Sequence, residues 1–181
     1  MPVNQPFQII LRALEPEDIE YLYRWENDPQ TWKVSNTISP FSRSVLNRYI
    51  ENAHLDIFQT RQLRLMIDVK EDSLTKTVGA IDLFDFEPLH LRVGAGILIG
   101  EAAERGKGYA QESLKKLCEY AFEVMQLHQV YCNIMANNEA SLKLFQQLGF
   151  EQTGNKKEWI KTPEGYVDEW ILQKINPRDR V

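Results

Sequence analysis

The sequence predicts an α/β fold with one mixed, mostly antiparallel twisted sheet of about seven strands and about four flanking helices. Segments of alternating apolar residues and segments with apolar spacings of three and four follow one another along the chain. Three strand-like runs in a row have short polar connections, which is typical of antiparallel neighbours. One long helical segment lies between two strand-like runs, and such a crossover requires a parallel, right-handed pair.

The N-terminal third is predicted to contain one strand followed by two helices. The strand is Gln8–Arg12, and the acidic segment around Pro16 that follows it favours a helix N-terminus. This helix is expected to run from about Pro16 to Trp25 and to end at Asn27-Asp28-Pro29. Apolar residues spaced three and four apart predict the second helix, and they are Val45, Leu46, Tyr49, Ile50 and Ala53.

The middle of the chain is predicted to form three strands and the longest helix. The strands are expected at Leu63–Val69, Thr77–Phe86 and Val93–Ile99. The segment Gly108–Met125 then changes period and predicts a helix with one apolar stripe. The residues of that stripe are Ala110, Leu114, Leu117, Cys118, Ala121, Phe122 and Met125.

The C-terminal third is predicted to alternate strand, helix and hairpin. A helix over Glu139–Leu148 is expected to end at Gly149, since glycine is a common residue after the last turn. Residues 175–181 are expected to form a frayed tail. The strand-like runs of this region are Gln129–Met135, a strand that starts in Phe150–Thr153, and a pair at Lys157–Lys161 and Tyr166–Lys174.

Composition narrows the classes of protein to consider. With 181 residues and no repeat or linker, we expect a single domain over residues 1–181. No segment approaches the roughly 18 consecutive apolar residues of a membrane span, and no signal peptide pattern opens the chain, so a cytoplasmic location without membrane attachment is expected. The net charge of −5 argues against a nucleic-acid partner, which would need a basic surface.

Cysteine and histidine show no metal-binding pattern. Cys118 and Cys132 lie among apolar neighbours and lack the CxxC spacing, so they are expected to be buried thiols. His54, His90 and His128 are scattered and receive no chemical role. No metal site is therefore expected.

The most informative segment runs from Glu104 to Ala110, between a predicted strand and the longest helix. Gly106 and Gly108 allow the main chain to approach a ligand, and the N–H groups of a helix N-terminus attract phosphate. A tight turn that uses glycine for geometry alone is the alternative interpretation. Because GxxxxGK[ST] and GxGxxG are both absent, an ATP- or NAD-binding protein is disfavoured.

Two sequence blocks resemble the GNAT superfamily of N-acetyltransferases. The residues from Arg105 to Ala110 resemble its motif [RQ]-x-x-G-x-[GA], and those from Asn138 to Phe150 resemble N-x-x-[SA]-x-x-[LV]-[YF]-x-x-x-G-F. Leu11-Arg12-Ala13-Leu14 resembles the opening of the branch that contains ribosomal-protein N-terminal and spermidine acetyltransferases. The resemblance covers nearly the whole chain, most firmly from Val93 to Phe150.

The resemblance implies acetyl-CoA as co-substrate, held where a central parallel pair of strands splays apart. The amides of the glycine loop would bind the pyrophosphate, main-chain groups of Ile97 and Ile99 would pair with the pantetheine arm, and Asn138 would lie beside it. The residues implied in cofactor binding are Ile97, Leu98, Ile99, Arg105, Gly106, Lys107, Gly108, Tyr109, Ala110, Asn138, Ser141 and Phe145.

The catalytic positions depart from the family pattern. Phe145 stands where many relatives carry a tyrosine acid, and Val93-Gly94-Ala95-Gly96 stands where many carry a glutamate. Ser141 shares a helix face with Asn138 and Phe145, so it is the nearest hydroxyl to the missing tyrosine. Ser141 is expected either to contact the thiolate or merely to accommodate the cofactor.

Asp82 is the first candidate for the general base. It lies in Ile81–Phe86, where apolar and polar residues partly alternate, so its carboxylate is expected within an apolar strand, facing either the sheet centre or solvent. Asp85 and Glu87 are the alternative carboxylates. Tyr109 and Tyr166 are further alternatives with proximity alone in their favour.

We expect an enzyme that moves an acetyl group to a primary amine by direct attack in a ternary complex. The amine belongs to a protein N-terminus, a polyamine or another small molecule, and a homodimer is the assembly that the family implies. Trp25, Trp32, Glu26 and Asp28 suit an acceptor wall, although core packing explains the tryptophans equally well. Trp32–Ser44 contains no carboxylate, which disfavours a polyamine. The alternative is a non-catalytic acyl-CoA-binding sensor.

Overall fold

The computed structural model describes residues 7–35 and 37–179, and within them the chain forms seven strands and six α-helices. The strands are β1 (Gln8–Arg12), β2 (Leu63–Glu71), β3 (Leu74–Glu87), β4 (Arg92–Ile99), β5 (Gln129–Met135), β6 (Glu151–Thr162) and β7 (Gly165–Ile175). The helices are α1 (Ile19–Glu26), α2 (Pro29–Ser35), α3 (Arg43–Glu51), α4 (Ile57–Thr60), α5 (Tyr109–Glu119) and α6 (Glu139–Gln147).

The strands belong to one mixed sheet in the order β1-β2-β3-β4-β5-β7-β6. The pair β4 and β5 is parallel, and α5 is the crossover between them. The pairs β1–β2, β5–β7 and β6–β7 are antiparallel. The predicted fold class, with its single parallel pair, is thus confirmed.

Three details differ from the prediction. The short helices α2 and α4 were not predicted, because each has few apolar residues to reveal a period. The two strand segments expected at Phe150–Thr153 and Lys157–Lys161 are parts of one strand, β6, which contains two register shifts. The predicted long helix changes from α to π geometry over Tyr120–Val124, where Met125 N–H bonds to Tyr120 O at 3.1 Å.

The chain divides into two compact units. The N-terminal unit comprises the described residues up to Asp82 together with Ile97–Leu114, and the C-terminal unit comprises Leu83–Gly96 and the described residues from Lys115 onward. The strands β3 and β4 and the helix α5 pass through both units. The expectation of a single domain remains a prediction.

The N-terminal unit packs its helices on the sheet through an apolar core and an ion network centred on Arg12. The core residues are Leu14, Leu22, Trp25, Leu46, Ile50, Met66 and Ala80. In the network, Arg12 makes two hydrogen bonds to Asp18, at 2.7 and 2.8 Å, and one to Asp68 at 2.7 Å. Thr77 Oγ1 donates to the second oxygen of Asp68 at 2.7 Å. Every buried carboxylate oxygen of this network therefore has a donor.

In the C-terminal unit, a bulge in β3 sets which side chains face the core. Leu83 and Phe86 are both buried, although their separation of three residues breaks strand alternation. Between them, Asp85 takes a left-handed conformation with φ of 49° and is exposed. Such a residue is the mark of a bulge, in which one extra residue is inserted into the strand. Phe84, the neighbour of Leu83 in the strand, lies on the opposite face.

A second bulge, in β6, is held by the carboxylate of Asp168 on β7. One oxygen accepts from the main-chain N–H of Glu158 at 2.9 Å, where φ is 48°, and the other accepts from Lys157 at 2.7 Å and Asn155 at 3.1 Å. These donors, Lys157 first, lower the pKa of Asp168 to about 2. The carboxylate thus stabilises the irregular part of the hairpin.

Because the pKa of Asp168 is lower in the folded chain, its contribution to stability is present above the unfolded pKa of about 3.9 and is lost as the pH falls towards 2. We expect Asp168→Asn to lower the urea midpoint at pH 6, and the difference from the wild type to shrink between about pH 4 and pH 2. Glu164→Gln, in the turn of the same hairpin, is the control. A difference that stays constant with pH would contradict this assignment.

The residues after β7 are not frayed as far as the structure describes them. Asn176 is buried and donates hydrogen bonds to Leu127 O at 3.1 Å and, through its main chain, to His128 O at 2.8 Å. Asp179 contacts His128 Nδ1 at 2.8 Å. The segment Asn176–Asp179 is thus tied to the start of β5, which corrects the expectation of a frayed tail there; residues 180 and 181 lie outside the described part.

Both cysteines are buried and free, as predicted. Burial raises the pKa of the Cys118 thiol to about 11 and also raises that of Cys132. Across residues 7–35 and 37–179, every helix is too short or too polar to cross a bilayer. The same residues contain no group of three or more His, Cys, Asp or Glu side chains placed to bind a metal ion.

Candidate acetyl-CoA site and active site

The parallel pair β4–β5 is short compared with the strands that form it. Its paired residues run from Arg92 and Gln129 to Gly94 and Tyr131, yet β4 continues to Ile99 and β5 to Met135. Parallel pairing that stops after three residue pairs agrees with the predicted splayed pair. Gly94 and Tyr131 therefore mark the position where the ladder between the two strands ends.

The glycine loop leaves the end of β4 and opens α5. A 3-10 turn at Ala102–Glu104 precedes it, and Arg105 Nε donates to Ile99 O at 3.0 Å, which fixes the loop to the strand. Gly106 and Gly108 have φ of 78° and 88°, a conformation that side chains with a Cβ rarely adopt. Apart from Gly106 and its two chain neighbours, no described residue has an atom within 4 Å of the position a Gly106 Cβ would take, so the main chain is open to a ligand there.

Charged residues brace this loop from the β2–β3 hairpin. Glu104 pairs with Lys107 at 2.9 Å and with Lys76 at 3.0 Å, and these contacts lower the pKa of Glu104. Lys76 also contacts Glu71 at 3.2 Å, and the hydroxyl of Tyr109 donates a hydrogen bond to Glu71. The ammonium of Lys107 is thus already paired with a carboxylate of the same loop. Glu71 and Lys76 were missed in the sequence because nothing local links them to the loop.

Asp82 lies in an ion cluster on the neighbouring strands. Its two oxygens accept from Arg64 Nε at 2.7 Å and Nη2 at 3.0 Å, and Arg64 Nη1 donates to Glu26 at 2.5 Å. The side chains of all three are less than one-fifth exposed. The guanidinium carbon of Arg64 lies 5.5 Å from the centroid of the Tyr49 ring. Burial raises the pKa of the Tyr49 hydroxyl. The carboxylate of Asp82 is thus held in place by a guanidinium.

The residues expected in an acceptor wall have separate roles within the N-terminal unit. Trp25 is 3% exposed and packs against Gly100, where a Cβ would come within 2.3 Å of the indole ring. Trp25 is therefore a core residue. Trp32 donates from Nε1 to Glu26 O at 2.6 Å, and Asp28 accepts from the main chain of Gln30 at the start of α2.

The helix α6 brings together two of its three predicted site residues. The Asn138 side chain accepts from Ser141 N at 3.2 Å and caps the helix, so both polar side chains lie at its N-terminus. Phe145 is 3% exposed and packs edge-to-face on Phe150, with ring centroids 4.9 Å apart. In the described structure the Phe145 ring belongs to the core of the C-terminal unit.

Two residues of the β4 segment Val93–Gly96, where the family resemblance placed a glutamate, lie next to an aromatic ring. A Cβ added at Gly94 would lie 2.4 Å from the ring of Phe84, and one at Gly96 would lie 3.4 Å from it. Phe84 also meets Tyr131 edge-to-face, with centroids 6.4 Å apart. The glycine at 94 thus makes room for Phe84. Of the other candidate groups, Asp85 and Tyr166 are exposed.

A mixed sheet with one parallel pair, whose crossover helix opens on a glycine loop, is the arrangement that the resemblance to acyl-CoA-dependent transferases predicted. Residues 8–151 match the family described as "Acetyltransferase (GNAT) domain". The chain belongs to the GNAT acetyltransferase family and is an N-acetyltransferase of that family.

Several relatives are similar over most of the chain. An uncharacterized N-acetyltransferase p20 from Bacillus licheniformis is 28% identical over 170 residues, which is 93% of both chains. The spermidine N(1)-acetyltransferase of Vibrio cholerae is 23% identical over 151 residues, 82% of both chains. The crystal structure of the Vibrio cholerae spermidine N-acetyltransferase with CoA and spermine has a TM-score of 0.80 at 20% identity and covers 93% of this chain and 96% of that one. This likeness shows that the fold is that of a GNAT enzyme.

Proposed function

We propose that this chain transfers the acetyl group of acetyl-CoA to a primary amine by direct attack in a ternary complex. The observation that carries the proposal is the glycine loop at Gly106 and Gly108, which lies between the end of β4 and the N-terminus of α5 and whose main chain is open at Gly106. The N–H groups at such a helix start favour phosphate oxygens. A relative with the same fold was crystallised with CoA, which supports acetyl-CoA as the co-substrate.

In this proposal the amides from Arg105 to Ala110 hold the pyrophosphate. The main-chain groups of Ile97 and Ile99 on β4, on either side of Leu98, pair with the pantetheine arm. Asn138 and Ser141 at the start of α6 contact the arm near its sulfur. Phe145 supports that helix by packing on Phe150.

The chemistry needs a neutral amine and a leaving thiolate. Free amines are largely protonated near neutral pH, so a base speeds attack on the thioester carbonyl. We assign that base to Asp82, which takes the proton directly or through water while Arg64 keeps its carboxylate in place. Ser141 donates a hydrogen bond to the sulfur, and main-chain N–H groups stabilise the oxyanion.

The acceptor is a primary amine of a small molecule or of a peptide N-terminus. Relatives named as spermidine acetyltransferases, at 23% and 24% identity, support a polyamine, as does the net charge of −5. The absence of carboxylates from Trp32 to Ser44 argues for a less cationic amine. Both classes therefore belong in the first panel of acceptors.

The deciding experiment measures CoA release from acetyl-CoA with spermidine, spermine, aminoglycosides and short peptides of varied N-termini, for the wild type and for Ser141→Ala. Release with one amine class would support the transferase and identify its acceptor together. Slower release with Ser141→Ala, at unchanged acetyl-CoA binding, would support the contact with sulfur. Tight acetyl-CoA binding with no release for any amine would favour the alternative, a non-catalytic acyl-CoA sensor.

We expect Gly106→Ala to weaken acetyl-CoA binding at least tenfold, because the added methyl group occupies the open side of the loop. Titration calorimetry measures the effect. Gly149→Ala is a matched control, since Gly149 has φ of 83° and equally open surroundings but lies after α6. Both variants should lose about 1–2 kcal/mol of stability from the left-handed conformation. Equal binding by the two variants would contradict the loop's proposed role.

A further inference from the structure

Tyr131 carries a hydroxyl that the assignment above leaves unused. Its neighbours on β5, Val130 and Cys132, are buried on one face of the strand, so Tyr131 lies on the other face, where it is half-buried. In the part of the chain that the structure describes, no residue hydrogen-bonds to its hydroxyl. A partly buried phenol without a protein partner is available to a ligand.

The ring of Tyr131 is held at a defined place on the sheet. Tyr131 pairs with Gly94 in the last step of the β4–β5 ladder. The Phe84 ring lies against Gly94, and a Cβ added to Gly94 would be 2.4 Å from that ring. The ring planes of Phe84 and Tyr131 make an angle of 79°. This edge-to-face contact holds the Tyr131 ring in place and leaves its hydroxyl free.

The environment keeps the proton on the phenol. Burial and the nearby carboxylate of Asp85 raise the pKa of Tyr131, and Arg92 opposes them. In ordinary surroundings a phenol has a pKa near 10 and a thiol a pKa near 8.5. The pKa of a phenol is therefore far closer to that of the departing thiol than the pKa of a serine hydroxyl such as Ser141.

The site of the sulfur follows from the proposed course of the pantetheine arm, and the inference rests on that proposed function. An arm that pairs with Ile99 and Ile97 runs along β4 towards Gly96 and Gly94. Gly94 pairs with Tyr131 in the last step of the β4–β5 ladder, and beyond this pair the two strands no longer pair with each other. The reacting end of the arm then arrives at the residue opposite Gly94, which is Tyr131.

We propose that Tyr131 is the proton donor to CoA in this enzyme, in place of the tyrosine that Phe145 replaces. As the tetrahedral intermediate collapses, the C–S bond breaks and its electron pair goes to sulfur. The Tyr131 O–H bond breaks, its proton passes to the sulfur, and the phenolate regains a proton from water. The products are the acetylated amine and neutral CoA thiol.

The test compares Tyr131→Phe with the wild type on the acceptor that the panel identifies. The variant keeps the ring and its contact with Phe84, so its melting temperature should be unchanged. We expect kcat to fall about 100-fold and the acetyl-CoA Kd to stay within twofold. Tyr120→Phe, at a more exposed tyrosine of the same unit, is the control and should match the wild type.

A pH profile separates proton donation from packing. Replacement of Tyr131 by 3-fluorotyrosine lowers the phenol pKa, so the alkaline limb of kcat should move to lower pH, and it should be absent in Tyr131→Phe. An unchanged kcat in Tyr131→Phe, or an unmoved alkaline limb with fluorotyrosine, would overturn the inference while the transferase proposal stands. A wild type that releases no CoA with any amine would overturn both.

Discussion

Replacing Arg12 by methionine is expected to lower the free energy of unfolding by about 3 kcal/mol, the low end of the range for breaking buried ion pairs. Arg12 bridges Asp18 and Asp68, whose side chains are 3% and 12% exposed. Without the guanidinium, two carboxylates stay buried with fewer donors, and one of them holds the turn before α1 through Glu15 N. Thermal unfolding followed by circular dichroism should show a melting temperature lower by roughly 6–12 °C.

The exposed pair of Arg43 and Glu20 provides the control. Arg43 also makes a two-point contact with a carboxylate, but both side chains are about half exposed or more. Solvent screens such a pair, so Arg43→Met should leave the melting temperature near the wild-type value. Equal effects of the two substitutions would show that burial of the Arg12 network does not matter.

The second large effect is expected from Arg64→Met, at about 3–5 kcal/mol, because Glu26 and Asp82 then face each other without their shared cation. The triple variant Arg64→Met, Glu26→Gln, Asp82→Asn removes both charges and should recover more than ~1 kcal/mol of that loss. Urea denaturation measures both.

The single substitution at Asp82 separates the catalytic role of its carboxylate from its role in stability. Asp82→Asn keeps hydrogen-bonding atoms beside Arg64 but cannot take a proton, so kcat should fall while the acetyl-CoA Kd is retained. If the triple variant were no more stable than Arg64→Met alone, repulsion between the carboxylates would not be the cause of the loss. If Asp82→Asn kept full kcat, the base would be another group or water.

Local patterns in the sequence were sufficient for most of the fold. Apolar periodicity located the strands and the four helices of eight residues or more, since one buried face imposes a regular spacing. The loop at Gly106 and Gly108 was predicted because its geometry depends on glycine, which is visible in one segment. The cap formed by Asn138 on Ser141 likewise depends on neighbours in the chain.

Contacts between distant residues could not be predicted in the same way. Arg12 and Asp68 are separated by 56 residues, and Arg64 and Asp82 by 18. The sequence therefore offered Asp82 as an isolated strand carboxylate, and the structure shows it bound to a guanidinium. The left-handed Asp85 was also invisible, because it lacks the glycine that usually marks such a conformation.

The close packing of Phe84 on Gly94 ties the evolution of these two positions together. A side chain of any size at position 94 needs the space that the Phe84 ring fills, so position 94 cannot gain a side chain while residue 84 remains large. A lineage that acquires a glutamate at 94 must first, or at the same time, reduce residue 84 to a small side chain. The two positions should therefore covary in size among homologues, and a large residue at 84 should mark homologues that have no carboxylate at position 94.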